Sequence, residues 1–171
     1  MEELDTIKEL SDRAEKTARA LVHTLKDKKI KLALAESCTA GLISSMLAGT
    51  SGASSVLWGS FVCYTKEAKI SMLGLDCRAL DEYGLVSGET AAAMAAAAVE
   101  KSGANLGAAV TGLAGPDGDG SGVPVGTVWI AATAGEATMA REFKFKGSRN
   151  IVRLRAVIEV FESIKTILKG Y

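Results

Sequence analysis

Two short apolar runs, KLALAE at 31–36 and LGAAVT at 106–111, constrain this chain more than any other feature. A run of this kind, without polar alternation, reads as a strand covered on both faces. A sheet built of such strands needs helices on both sides. The segments around the two runs supply them. Residues 3–27 place Leu4, Ile7, Leu10, Ala14, Ala18, Leu21, Val22 and Leu25 at helical spacing. After the turn SCTAG, LISSMLAG continues as a helix. Lys66–Leu73 reads as a short helix, and Ser87 stands where it can cap the Ala-rich run GETAAAMAAAAVEKSG. Ser148 stands in the same place before a last helix, whose apolar face carries Ile151, Leu154, Val157, Ile158, Phe161, Ile164 and Leu168. SVLWGSFVCY (55–64) reads as a further strand. VGTVWIAAT and TMAREFKFK read as a hairpin around Ala134-Gly135-Glu136. Helix–strand alternation that ends in a hairpin predicts a three-layer α/β/α sandwich with a mixed sheet. We expect one domain over 1–171, with the N-terminal helical segment 1–29 packed on it.

Composition excludes several function classes. Hydrophobic residues are 48% and charged residues 23%, enough apolar material for a full core. Twenty basic and twenty acidic residues cancel, which argues against a nucleic-acid binder. No apolar run approaches the ~20 residues that cross a bilayer. The opening MEELDTIKEL is charged and amphipathic, unlike a secretory signal, so a cytoplasmic protein is expected. Three cysteines without CxxC spacing and a single histidine, His23, leave no basis for a disulfide framework, a metal site or Ser-His-Asp catalysis. We expect no metal. A catalytic base, if there is one, is something other than histidine.

Four segments offer chemistry. The first is Ala35-Glu36-Ser37-Cys38-Thr39-Ala40-Gly41, where polar residues sit at a strand-to-helix turn. Backbone N–H groups at such a turn can hold an anion or an oxyanion. Read alone, the same residues also suit a simple N-cap at Ser37 or Thr39. The second is the glycine-rich loop after the 106–111 strand, Thr111-Gly112-Leu113-Ala114-Gly115-Pro116-Asp117 onward, at the sheet edge where α/β sites form. No lysine follows the glycines, so it is not a Walker loop. Asp117, Asp119, Ser121 and Gly122 mimic the start of an EF-hand loop, but Val128 stands where a bidentate glutamate is needed. The third is a basic bias between Arg141 and Arg155. Within it Arg149 and Arg153 lie one helical turn apart and can clamp a phosphate or carboxylate, or form a solvated face. The fourth is Tyr64-Thr65-Lys66-Glu67-Ala68-Lys69. One of its lysines can point inward, where burial would free it of its proton.

Together these segments resemble the CinA C-terminal domain family, the nicotinamide-nucleotide amidases. The matching pieces are AESCTAGL (35–42), YTKEAKISMLGL (64–75), GLVSGETAAAMA (84–95), VTGLAGPDG (110–118), PVGTVWIA (124–131) and GSRNIVR (147–153), in the family's order. The resemblance implies an α/β/α fold. It also implies hydrolysis of the carboxamide of nicotinamide mononucleotide to nicotinic acid mononucleotide and ammonia, in pyridine nucleotide recycling, without a cofactor. Two departures fall near the expected site. Ala40-Gly41 stands where the family has Gly-Gly, and Thr65-Lys66 where it has Ser-Asn. Many members carry a further N-terminal domain that resembles molybdopterin-binding proteins, and this chain is too short to contain it.

An amidase without histidine needs a different base, and a Ser–Lys pair supplies one. Ser37 is the expected nucleophile, and Lys69, which matches the family's Glu-Ala-Lys, the expected base. Tyr64 is placed to orient the lysine or relay a proton. Backbone N–H groups of Cys38, Thr39, Ala40 and Gly41 are the expected oxyanion donors. Thr111, Gly112, Ala114 and Gly115 would pack against the nucleotide, with Arg149 and Arg153 on its phosphate. Glu36 would bind the carboxamide or a ribose hydroxyl. Cys38 is the rival nucleophile. A non-catalytic nucleotide- or partner-binding module, or an amidase for another small phosphorylated amide, are the competing readings. Self-association is expected, because enzymes of this size often complete their sites that way.

Overall fold

The computed structural model describes residues 2–170. Five strands form one mixed sheet in the order β2-β1-β3-β4-β5: β1 (Leu32–Glu36), β2 (Leu57–Val62), β3 (Leu106–Gly112), β4 (Thr127–Ala134) and β5 (Ala137–Lys144). β1 pairs in parallel with β2 and β3, and β3-β4-β5 pair antiparallel. The helices are α1 (Glu2–Asp27), α2 (Leu42–Ala48), α3 (Lys66–Leu73), α4 (Cys77–Tyr83), α5 (Gly88–Ser102) and α6 (Arg149–Ile167). A 3-10 turn at Ala53–Ser55 precedes β2. The three-layer α/β/α architecture and the β4–β5 hairpin are those read from the sequence.

The two faces of the sheet hold separate cores, set by the two-residue period of the strands. Leu32 and Leu34 of β1 join Val128 and Ile130 of β4 under α2 and α6, with α1 packed on α6 and α2. Ala33, Ala35, Ala109 and Ala131 line the other face, under the small residues of α5. That face is unusually close-packed. A Cβ on Gly107 would stand 2.3 Å from the Ala95 carbonyl oxygen, so only glycine lets α5 lie this near β3.

The chain leaves β1 through α2 on one face and returns from β2 to β3 through α3, α4 and α5 on the other. The carboxyl ends of β1 and β3 therefore meet at a topological switch point, where α/β sheets bind ligands.

Two expectations are corrected and one element is added. Leu4 is 72% exposed; α1 packs against the core from Leu10, which is half-buried, and its fully buried positions begin at Ala14. α4 was not legible as a helix. Its sequence, CRALDEY, has no apolar stripe, and its start is set by Asp76, whose carboxylate accepts from the Arg78 N–H at 2.9 Å. Ser148 takes the N-cap position of α6 but its side chain makes no capping bond, whereas Ser87 accepts from the Thr90 N–H at 3.1 Å as expected.

Candidate active site

The strand alternation that separates the two cores also separates two neighbouring side chains. Glu36 continues the Leu32–Leu34 side of β1, toward α2. Ser37 turns to the opposite side, toward α3. The Ser37 N–H donates to the Val110 carbonyl at 3.0 Å, which fastens the turn to β3. On α3, Lys69 and Leu73 are the buried positions, one helical turn apart. Lys69 Nζ donates to Ser37 Oγ and to the Cys63 carbonyl, both at 3.0 Å. Its side chain is 1% exposed, and burial lowers its pKa from the ordinary lysine value. Lys66 is the surface lysine of the pair, in an ion pair with Asp81. Thr65 caps α3 by accepting from the Ala68 N–H at 3.2 Å, a role its hydroxyl shares with serine.

Ser37 and Lys69 open into a cavity of about 240 Å³. Thr111, the Gly112–Gly115 segment, Asp117 and Asp119 form one wall, Leu85 and Val86 another, and Tyr64 and Arg149 the mouth. The glycine-rich loop is fixed at its base: the Leu113 N–H donates to the Thr127 carbonyl and the Gly126 N–H to the Leu113 carbonyl. Gly112 is required there, since a Cβ would meet the Thr127 oxygen at 2.7 Å. Thr111 is buried and its hydroxyl donates to the Leu85 carbonyl at 2.7 Å, tying β3 to the opposite wall. Arg149 donates to the Gly115 carbonyl at 2.7 Å and to the Tyr64 hydroxyl at 2.6 Å. Guanidinium has five N–H donors, so others remain for a ligand in the cavity. Tyr64 is thus bonded to the arginine at the mouth and not to the lysine.

Several expected site residues lie elsewhere. Glu36 is fully buried outside the cavity wall, and its carboxylate accepts four internal hydrogen bonds. The donors are the Thr39 hydroxyl (2.8 Å), the Ile43 and Ser44 N–H groups (both 3.0 Å) and the Ser60 hydroxyl (3.0 Å). It is therefore no ligand for a carboxamide or ribose. It caps α2, for which neither Ser37 nor Thr39 serves as N-cap. Arg153 is also outside the wall and donates to the Thr39 carbonyl at 2.7 Å, so the two arginines do not converge on one anion. Within the turn, the Ala40 N–H is bonded to the Ser37 carbonyl at 3.0 Å. The Cys38, Thr39 and Gly41 N–H groups donate to no carbonyl among the described residues, and of the three only Cys38 lines the cavity. The Cys38 thiol is buried, which pushes its pKa up to about 12. Leu85 and Val86 had no expected role. They lie inside GLVSGET, a matching motif, and that motif was their only signal. Among the described residues, no cluster of His, Cys, Asp and Glu is placed to hold a metal ion. No helix among them is long and apolar enough to cross a membrane.

Comparison with known proteins decides the family. The model of the CinA C-terminal domain matches residues 14–168. This chain belongs to the CinA C-terminal domain family. A CinA-like protein of Geotalea daltonii is 48% identical over 123 residues, which are 72% of this chain and 30% of that protein. A CinA-like protein of Thermotoga maritima is 37% identical over 156 residues, 91% of this chain and 38% of that protein. The chain therefore corresponds to about a third of the length of these CinA-like relatives. Among solved structures, the competence/damage inducible protein CihA of Agrobacterium tumefaciens superposes with a TM-score of 0.86 at 36% identity, covering 90% of this chain and 94% of that one. A CinA superfamily protein of Escherichia coli superposes with 0.87 at 31% identity, covering 90% of each chain.

Proposed function

We propose that this CinA domain is an amidohydrolase that converts nicotinamide mononucleotide to nicotinic acid mononucleotide and ammonia. The observation that carries the reading is the 3.0 Å contact between a buried lysine and a serine hydroxyl, at a cavity bordered by an arginine. A lysine stripped of water loses its proton more easily than one at the surface, and the neutral amine can accept the proton of Ser37. Ser37 Oγ then attacks the carboxamide carbon, and the carbonyl oxygen becomes an oxyanion beside the Cys38 N–H. The protonated Lys69 returns its proton to the departing nitrogen, which leaves as ammonia. An ester on Ser37 remains. Water, deprotonated by Lys69, hydrolyses that ester and frees the carboxylic acid and the serine.

Arg149 takes the 5′-phosphate at the mouth, and Tyr64, held by Arg149, borders the substrate's path. The Thr111–Gly115 backbone packs along the nucleotide. An ammonia-release assay tests the reading, with nicotinamide mononucleotide beside nicotinamide and the riboside. Release from the mononucleotide alone is expected. No release from any of the three overturns the amidase reading, and equal release from all three overturns the phosphate specificity.

A further inference from the structure

Glu36 is a fully buried carboxylate with no part in the bond-making steps above. Its four hydrogen bonds join three elements: the turn at Thr39, the start of α2 at Ile43 and Ser44, and the edge strand β2 at Ser60. Its main chain reaches further. The Cys63 N–H donates to the Glu36 carbonyl at 2.9 Å, and the carbonyl of the same Cys63 holds Lys69 Nζ at 3.0 Å. Ser37 follows directly in the chain. One residue thus anchors the turn that carries the serine and the strand end that carries the lysine's second acceptor.

We infer that Glu36 is a positioning residue that fixes Ser37 against Lys69, an inference that rests on the reading of those two as nucleophile and base. The chemistry of the tie requires a carboxylate. All four partners are donors, and an ionised carboxylate is acceptor-only at both oxygens. Each oxygen takes one α2 N–H and one hydroxyl, Ile43 with Thr39 and Ser44 with Ser60, so in either orientation the NH2 of glutamine would face an α2 N–H and leave it without an acceptor, while the hydroxyl beside it could turn to accept. Aspartate keeps both acceptors but is one methylene too short to reach three elements together. A displacement of about 1 Å between reacting groups costs on the order of 100-fold in rate. Glu36 lines no part of the cavity, so its loss should leave substrate affinity alone.

The test uses Glu36→Gln and Ser60→Ala, the second of which removes one of the four bonds and keeps the charge. Each is assayed for ammonia release across pH, at a temperature where circular dichroism shows it folded. Each is also assayed for labelling of Ser37 by a sulfonyl fluoride. In that step Ser37 Oγ displaces fluoride from sulfur, with the serine proton passing to Lys69. Glu36→Gln should lose kcat on the order of 100-fold with KM unchanged, and Ser60→Ala should lose severalfold. Labelling rates should fall in step, with the midpoint of the pH profile kept. Folded variants with wild-type kcat and labelling overturn the inference, as does a rise in KM alone. If Glu36→Gln does not fold, Ser60→Ala decides alone. Wild-type protein that is labelled at Ser37 but releases no ammonia overturns the amidase reading only; the labelling rates of the variants still judge Glu36.

Discussion

Lys69 meets Ser37 at 3.0 Å, and among the described residues no carboxylate forms an ion pair with that lysine. Its second partner is a neutral carbonyl. A cation so placed is disfavoured by lost hydration, and the structure provides no full counter-charge.

The pH dependence follows from that direction. In the folded chain Lys69 releases its proton below the ordinary lysine pKa of 10.5. Activity should rise with pH through a midpoint below that value, as the neutral base forms. Stability should rise as well. Between the folded and unfolded pKa values the unfolded chain binds the extra proton, and stability increases with pH wherever that holds. Lys69→Met should therefore be more stable than the parent at neutral pH, with the advantage shrinking as pH approaches 10.5. Its activity should fall by roughly 100- to 10,000-fold, the usual contribution of a general base. Thermal melts and initial rates at matched pH values check both.

Ser37 and Cys38 separate by reactivity. A thiol held near 12 is protonated at neutral pH and is a poor nucleophile. Ser37→Ala should abolish hydrolysis while the fold persists, and Cys38→Ala should keep most of it. Mass spectrometry after brief iodoacetamide treatment should find the adduct on Cys77, the exposed cysteine, and not on Cys38.

The two arginines should behave differently. Arg149 faces the cavity, so Arg149→Ala should weaken the mononucleotide and leave the riboside unchanged. One charge-assisted bond of about 1.5–3 kcal/mol corresponds to a loss of roughly 10- to 150-fold. Arg153 braces the turn through the Thr39 carbonyl, so Arg153→Ala should lower kcat for the mononucleotide and the melting temperature with it, without separating the affinities for the two ligands. Calorimetry with both ligands, beside steady-state kinetics, distinguishes the two patterns.

Ala40 occupies the left-handed region at φ 51°, directly before Gly41 at φ 88°. A side chain there costs about 1–2 kcal/mol, and the extra freedom of glycine in the unfolded chain returns about 0.4–1 kcal/mol of that. Ala40→Gly should raise stability by about 0.5–1 kcal/mol, a few degrees in Tm for a domain of this size. Unchanged or lower Tm would contradict it.

The site was legible in the sequence to the extent that it depends on residue type at a strand end. Ser37 stands at a turn after a buried strand, and Lys69 matches the family's motif, so the pair could be named before its distance was known. The roles of Glu36 and Arg153 were not legible, because they depend on facing direction. Glu36 points to α2 by the alternation of β1, while Ser37 points to α3, and a reading that takes consecutive residues as one site merges the two. Arg149 and Arg153 share a helix face, yet the placement of α6 against the turn gives one to the cavity and the other to a carbonyl 114 residues earlier in the chain. In the fold, the strands and long helices follow from apolar periodicity. α4 has no such periodicity and formed outside its reach.

The clamp at the base of the glycine-rich loop has a consequence for divergence. The backbone bonds of Leu113 to Thr127 and Gly126 close the stem, and residues 116–122 beyond it are exposed. Their number and identity can drift with little effect on Thr111 below them or on β4 beyond. The serine and its lysine arise from an earlier stretch of chain, between residues 37 and 69. Descendants of this sequence can therefore reshape the entrance to the cavity while the contact between Ser37 and Lys69 is inherited unchanged.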